Sequence, residues 1–308
     1  MTKNNIAVID VGTLKSKFEI CQFDRAMNGK TLYKDKKLTV LGRDLDKTGN
    51  RIVDESIKST IEALNEFKIK MVEYNVAKYR AVATEAIRRA INATDVLKQI
   101  KEGTGIELET LSHEDEAKIL FRSISMDFPD KLIAVTDIGG GSVQVVIGIN
   151  NTIKEVHLFK TGTYYLQEEF STSHHPNTTE LKNTMDYIKQ ALVILGESKY
   201  HPDLLVYGTT NIISFLKAMN IAMTKDKSSG AHPFSIDVSV LRPLYNRIIA
   251  LSYEERMPMY PEEPYYMWAA DKAIMNVLQI CDYLNINKVV PSNNNISTAI
   301  LYELAQTK

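Results

Sequence analysis

Apolar positions in the first forty residues fall in short blocks. Ile6–Asp10 (IAVID), Lys17–Phe23 (KFEICQF) and Lys37–Gly42 (KLTVLG) read as three successive strands. From Ile52 to Met71 the spacing changes to that of a helix, with Ile57, Ile61, Leu64 and Phe67 recurring on one face. A strand is then predicted at Tyr79–Ala83, helices between Thr84 and Lys101, a short strand near Ile106–Leu111 and a helix over about Glu114–Met126. At Leu132 the pattern starts again. Strands are predicted at Leu132–Asp137, Val143–Ile149 and Ile153–Phe159, then helices at Thr163–Phe170 and Thr178–Gly196. A strand at Leu204–Gly208 leads into a helix at Ile212–Met219, and the polar segment Thr224–His232 (TKDKSSGAH) reads as an exposed loop. Helices are predicted for most of the remainder, apart from a strand near Lys288–Pro291.

The restart carries a sequence echo. Residues 6–13 (IAVIDVGT) and 134–142 (AVTDIGGGS) share one plan: apolar strand, aspartate, apolar residue, glycine, small hydroxyl. The aspartates, Asp10 and Asp137, lie 127 positions apart, and each motif leads into a further extended strand. A duplicated unit accounts for this. The expected fold is two α/β domains, 1–124 and 125–308, with the final helix able to cross back onto the first.

Composition narrows the function classes. With 44% hydrophobic and 24% charged residues the chain is neither disordered nor fibrous. The formal charge of −1 gives no whole-protein field to draw in nucleic acid or a membrane surface, so a polyanion must be gripped locally. Two cysteines, Cys21 and Cys281, in apolar surroundings suit buried thiols in a reducing compartment. The opening residues show no signal-peptide pattern and no apolar run reaches spanning length, so a cytoplasmic protein is expected. The six histidines show no metal-site spacing and read as surface or structural, His174 and His175 among them. Trp268, with Tyr265, Tyr266 and Met267, reads as a helix packed into the core, an aromatic platform being the alternative.

Three segments carry candidate chemistry. Gly139-Gly140-Gly141 lets backbone N–H groups approach a phosphate and allows positive φ, although a glycine cluster also makes a plain hairpin turn. The glycines lead into the β-branched run VQVVIGI and not into a helix, which disfavours Rossmann and Walker loops. Ser112 with Asp115 forms a capping-box-like helix start, and Glu116 follows it, with Glu114 and Asp115 near enough to raise its pKa. Arg88, beside a water-facing Arg89, suits bidentate phosphate contact or a solvated helix charge. The turn Tyr207–Asn211 reads equally as a phosphate-lining turn or a helix cap.

A strand ending in aspartate, a tight glycine hairpin and a second strand, occurring twice, is similar to the phosphate loops of the actin, sugar-kinase and chaperone ATPase superfamily. Asp10–Thr13, residues 41–49 (LGRDLDKTG), residues 83–88 (ATEAIR) with Asn92, Ser112–Ala117, Asp137–Ser142 and the stretch from Gly162 to Leu166 together resemble the exopolyphosphatase/guanosine pentaphosphate phosphohydrolase family. The resemblance implies two ribonuclease-H-like domains facing a central cleft, and release of terminal phosphate from polyphosphate or guanosine pentaphosphate with Mg²⁺ or another divalent cation. It implies Glu116 as general base, and phosphate binding by Gly12, Thr13, Lys15, Arg88, Gly139, Gly140, Gly141 and Ser142. Asp137 is implied as a metal residue, with Asp10 as a second candidate and Gln144 at a position the family makes acidic. The expected partners are polyphosphate or a guanosine polyphosphate, with no nucleic acid and no membrane, and a homodimer is the candidate assembly. The family's Ser-Asn-Ser is here Thr13-Leu14-Lys15, its arginine before Leu41 is Val40, and its Arg-Ala-Asp is Ala269-Ala270-Asp271. These departures keep a second reading open, a non-catalytic polyphosphate or alarmone sensor. A small-molecule kinase of the same superfamily is a third.

Overall fold

The computed structural model describes residues 4–24, 29–171, 173, 175–209, 211–226 and 232–307. In chain order the elements are β1 (Asn5–Val11), β2 (Lys15–Phe23), β3 (Gly29–Leu38), α1 (Asp54–Glu73), β4 (Val76–Ala83), α2 (Glu85–Arg89), α3 (Ala93–Thr104), β5 (Glu109–Thr110) and α4 (His113–Ser125). There follow β6 (Leu132–Ile138), β7 (Val143–Ile149), β8 (Thr152–Phe159), α5 (Thr163–Phe170), α6 (Thr178–Leu192), β9 (Leu204–Gly208), α7 (Ile212–Ala218), β10 (Thr224–Lys225) and β11 (Phe234–Asp237). The last are α8 (Leu241–Ile249), α9 (Tyr253–Arg256), α10 (Pro264–Trp268), α11 (Ala270–Leu284), β12 (Lys288–Ser292) and α12 (Ile296–Gln306). The chain divides into two compact units, Met1–Ile119 with Ile296–Lys308, and Leu120–Asn295.

The first unit is a five-stranded sheet in the order β3-β2-β1-β4-β5. β1 pairs antiparallel with β2 and parallel with β4, so it lies centrally and its run Ile6–Val11 is buried throughout. One face packs Phe18, Ile20, Leu64 and Phe67 beneath α1 and α3. The other buries Ile6, Val8, Cys21 and Val82 against Ile296, Ala299, Ile300 and Leu301 of α12. The edge strand β3 (GKTLYKDKKL) is lysine-rich and largely exposed, a composition that discourages pairing with another chain.

The second unit repeats that plan. Its sheet runs β8-β7-β6-β9-β12-β11-β10, so the order of three antiparallel strands followed by two parallel ones is that of the first unit, extended by a hairpin. Its core gathers Val143, Val145, Leu205 and the buried face of α11.

Three expectations are corrected. The third strand is Gly29–Leu38 and not Lys37–Gly42: residues 39–42 are buried because they fold back over the first hairpin, Val40 N–H bonding to Leu14 O at 2.9 Å and Gly42 N–H to Thr13 O at 2.9 Å. Apolarity there reports covering, not pairing. Within Thr224–His232, Thr224–Lys225 pairs with β11, while residues 227–231 lie outside the described residues. His232 is not exposed: it is 3% accessible, with Nε2 2.7 Å from Ser292 Oγ and Nδ1 2.9 Å from Asp127. In the Trp268 segment Met267 is buried and Tyr266 packs on Phe215, but Tyr265 is exposed. His174 and Thr210 lie outside the described residues. Cys21 and Cys281 are free and buried, and burial pushes both thiols up to about 12. No helix among the described residues is long and apolar enough to cross a membrane.

Candidate active site

Each unit carries one hairpin at the start of its sheet. In the first, Gly12 N–H donates to Lys15 O at 3.0 Å, and in the second Gly139 N–H donates to Ser142 O at 2.9 Å. The offset of 127 positions therefore holds atom for atom. A Cβ on Gly12 would stand 3.1 Å from Lys15 O and one on Gly139 3.3 Å from Ser142 O, so both turns are tight enough to favour glycine. Gly139, Gly140 and Gly141 do not use positive φ; Gly49 and Gly105 are the left-handed glycines among the described residues. What the second loop requires is close approach. Gly162 lies against it so tightly that a Cβ there would overlap Gly140 O, Gly141 C and Ser142 N. Thr163 N–H donates to Gly139 O at 2.9 Å and Tyr165 N–H to Gly140 O at 3.0 Å, which seats the loop on the first turn of α5.

Side chains at the base of the hairpins follow from register. Asp10 is paired across the strands with Lys17, and Asp137 with Gln144, so each aspartate shares a face with the residue seven positions on. Asp10 is buried and its Oδ2 receives Lys17 Nζ at 3.4 Å and Ser297 Oγ at 3.5 Å. Asp137 is half-buried and Gln144 buried; Tyr207 beside them has its phenol pushed up by burial first and by the Asp137 charge second. Val40, over the first loop, holds φ at 45°, a left-handed value that β-branched residues avoid, and its carbonyl accepts from Ser56 Oγ at 2.8 Å.

Glu116 and Arg88 are brought together. Ser112 caps α4, accepting from Asp115 N–H at 3.1 Å while its hydroxyl donates to Asp115 Oδ2 at 2.6 Å. One residue further, Glu116 turns inward. Arg88 Nη1 donates to Glu116 Oε2 at 2.7 Å and to Leu111 O at 2.8 Å, and Nη2 donates to Glu85 Oε2 at 3.2 Å. The charge facing Glu116 is thus a guanidinium and not the expected carboxylates, since Glu114 pairs with Lys118 and Asp115 with Ser112. Arg88 is accordingly neither a solvated charge nor a free fork. Arg89 also departs from expectation, pairing with Asp46 and bonding to Asn50 at 3.0 Å. Glu85 is buried and was not singled out by sequence, although its i, i+3 spacing to Arg88 is a helix-pair signal. His113 Nε2 lies 3.5 Å from Glu85, and burial, then the Arg88 charge, hold its pKa below the ordinary value.

A third cluster is assembled by tertiary packing around an aspartate the sequence motif contains. Arg256, Asp271 and Lys272 are fully buried, with Arg256 Nη1 3.1 Å and Lys272 Nζ 2.8 Å from the Asp271 carboxylate. Asp271 is the aspartate of the Ala-Ala-Asp departure, and its guanidinium partner comes from fifteen positions upstream. Among the described residues no group of three His, Cys, Asp or Glu side chains could by itself hold a metal ion.

The profile described as the Ppx/GppA phosphatase family matches residues 23–306. Among curated relatives, a bifunctional 3-dehydroquinate synthase/phosphatase of Fusobacterium nucleatum is 27% identical over 212 residues, which is 64% of this chain and 32% of that protein. Exopolyphosphatase 1 of Mycobacterium tuberculosis is 25% identical over 189 residues, covering 61% of this chain and 55% of the relative. The matched region thus spans between a third and just over half of these relatives' lengths. A crystal structure of an exopolyphosphatase from Cytophaga hutchinsonii superposes with a TM-score of 0.85 at 21% identity, covering 98% of this chain and 97% of that one, and shows the shared fold.

Proposed function

This chain belongs to the Ppx/GppA phosphatase family, and on that footing we propose that it releases terminal phosphate from inorganic polyphosphate, and by the same chemistry from guanosine pentaphosphate. The observation that carries the reading is the Glu116–Arg88 pair at the start of α4. A general base must be ionised and aimed. Arg88 binds one carboxylate oxygen of Glu116 and is itself anchored to Leu111 O and Glu85, so the base is held in one orientation. The water oxygen then attacks the terminal phosphorus as its proton passes to Glu116, the bond to the bridging oxygen breaks, and the developing charge is met by the loop amide at Thr13.

A divalent cation fits the donor chemistry of the second hairpin. Asp137 and Gln144 offer hard oxygen donors side by side, which suits an ion that keeps most of its waters and binds phosphate oxygens as well. Asp10 already meets an ammonium from Lys17. When bound at Asp137, such an ion would neutralise phosphate charge.

Replacement of Glu116 by Gln tests the reading. Phosphate release from polyphosphate and from guanosine pentaphosphate should fall about a hundred- to ten-thousand-fold, with affinity for polyphosphate nearly kept, because a base acts in the transition state. A variant as fast as the wild type removes Glu116 from the mechanism. Leu14 at the tip of the first hairpin and Gln144 at the base of the second favour the sensor reading, and a wild-type protein that binds polyphosphate yet releases no phosphate at any Mg²⁺ level would establish it.

A further inference from the structure

We infer that Asn276, in the middle of α11, is a positioning residue for the glycine loop of the second unit, an inference that rests on the phosphate-loop reading above and names what holds that loop in place. Asn276 is fully buried, and its Nδ2 donates to Thr161 O at 2.9 Å and to Lys272 O, one helical turn back, at 2.9 Å. Thr161 is fully buried as well. It immediately precedes Gly162, whose Cα lies so close to Gly140, Gly141 and Ser142 that a side chain there would overlap their backbone. A side chain 115 positions further along the chain thus grips the peptide that backs the loop.

By local rules asparagine is a poor choice at this place. It is a weak helix former, because its amide competes for backbone groups, and α11 around it is apolar, with Ala273, Met275, Val277 and Ile280 all buried. Its Oδ1 is buried without a hydrogen-bond partner among the described residues, which is destabilising in itself. Turning the amide over would not help, since an oxygen would then face the carbonyls of Thr161 and Lys272. An alanine or leucine would serve the helix and the core better. A residue that breaks local rules without a local benefit points to a role elsewhere, and its bond out of the helix goes to Thr161.

The bond matters because of where Thr161 stands. Residues 160 and 161 join β8 to α5 and belong to neither, so no ladder or helix bond fixes their place. From Gly162 onward the chain is locked to the loop: Thr163 N–H donates to Gly139 O and Tyr165 N–H to Gly140 O, so the first turn of α5 and the loop move as one body. Any drift at Thr161 is passed to the loop through a contact with no side chain to absorb it. Asn276 holds the carbonyl at the head of that body. Its own helix is a firm base, because Asp271 in the first turn of α11 is gripped by Arg256 and Lys272. A misplacement of about 1 Å at groups that hold a reacting phosphate can lower a rate roughly a hundredfold.

The test uses two variants that cannot donate to Thr161 O: Asn276→Ala, which leaves a gap, and Asn276→Met, whose adaptable side chain fills it. Leu284→Ala, in the core at the far end of the same helix, is the control for lost stability alone. Hydrogen exchange is followed at the amides of Thr163 and Tyr165, which report the seating of the loop, together with thermal unfolding and phosphate release at saturating long-chain polyphosphate. In both Asn276 variants these two amides should exchange about tenfold faster. Phosphate release should fall about ten- to a hundredfold. Leu284→Ala should lose as much thermal stability while keeping wild-type exchange at both amides and wild-type release. Wild-type exchange in the Asn276 variants overturns the inference, as does equal acceleration in Leu284→Ala. Faster exchange with wild-type release makes the bond a purely structural tie and overturns it too, and failure of both variants to fold assigns Asn276 to the core. If the wild type releases no phosphate from any substrate, the hydrolase reading fails while the exchange comparison still decides whether Asn276 seats the loop.

Discussion

The hairpins Gly12–Lys15 and Gly139–Ser142 close with the same hydrogen bond and stand at the same place in sheets of the same strand order. Their surroundings differ. In the first, Asp10 is met by Lys17 and covered by Ser297, while the loop is overlaid by Val40–Gly42. In the second, the partner across the strands is the neutral Gln144, and the loop is pressed against Gly162 and the first turn of α5. Backbone geometry has been kept while the residue across the strands has diverged: the first hairpin sets an ammonium opposite its aspartate, whereas the second sets an amide there. Duplication of a phosphate loop therefore does not duplicate its chemistry, and the two can be broken separately.

The largest effect is expected at Gly162. Its Cβ would meet backbone atoms of the second loop, which cannot turn aside, so Gly162→Val should cost about 3 kcal/mol or more and reduce phosphate release at least a hundredfold. Gly42→Val makes the matching intrusion on the first loop, but there the obstacle is Thr13 Cγ2, the end of a side chain that can rotate. Thermal unfolding and phosphate release on both variants check the contrast, and equal damage would mean that the two seats are equally rigid. A smaller effect is expected from Gln144→Glu, which restores a carboxylate beside Asp137. Several-fold faster release at millimolar Mg²⁺ and slower release without it are expected, because only the ion offsets the repulsion of phosphate. A variant slower at every Mg²⁺ level would exclude a metal role for this position. The smallest change is expected from Val40→Gly. Relief of a left-handed β-branched residue, roughly 1–2 kcal/mol, offsets the lost burial of about 1.5 kcal/mol, leaving the urea midpoint nearly unmoved. Val143→Gly in the second hairpin has no such strain to release and should cost about 3 kcal/mol or more.

Much of the fold was legible because its signals are local. The helical spacing of Ile57, Leu64 and Phe67 and the doubly buried run Ala134–Val135 announce their elements without reference to anything distant. β3 was misplaced because its lysines hide the alternation of an edge strand, while Val40 and Leu41 are apolar for a tertiary reason. The candidate site was legible where motif and local geometry coincide, as at Ser112–Glu116. The pairing of Arg88 with Glu116 was not, since the two are 28 positions apart and nothing in either segment names the other. The same holds for His232, which is joined to Asp127 and Ser292 from opposite ends of its unit.

The return of α12 to the first sheet bears on the order in which the protein becomes native. Leu120–Asn295 is one continuous stretch and holds its own core, so it can close as it is made. The first unit cannot, because the face carrying Ile6, Val8, Cys21 and Val82 is covered by residues from Ile296 onward, and Ser297 reaches Asp10 across 287 positions. At a synthesis rate of roughly 5–20 residues per second, the 176 residues of the second unit take about 10–35 s to appear. Over that interval an apolar sheet face stands open on the nascent chain, a target for a holdase chaperone and for misassembly between neighbouring chains on one message.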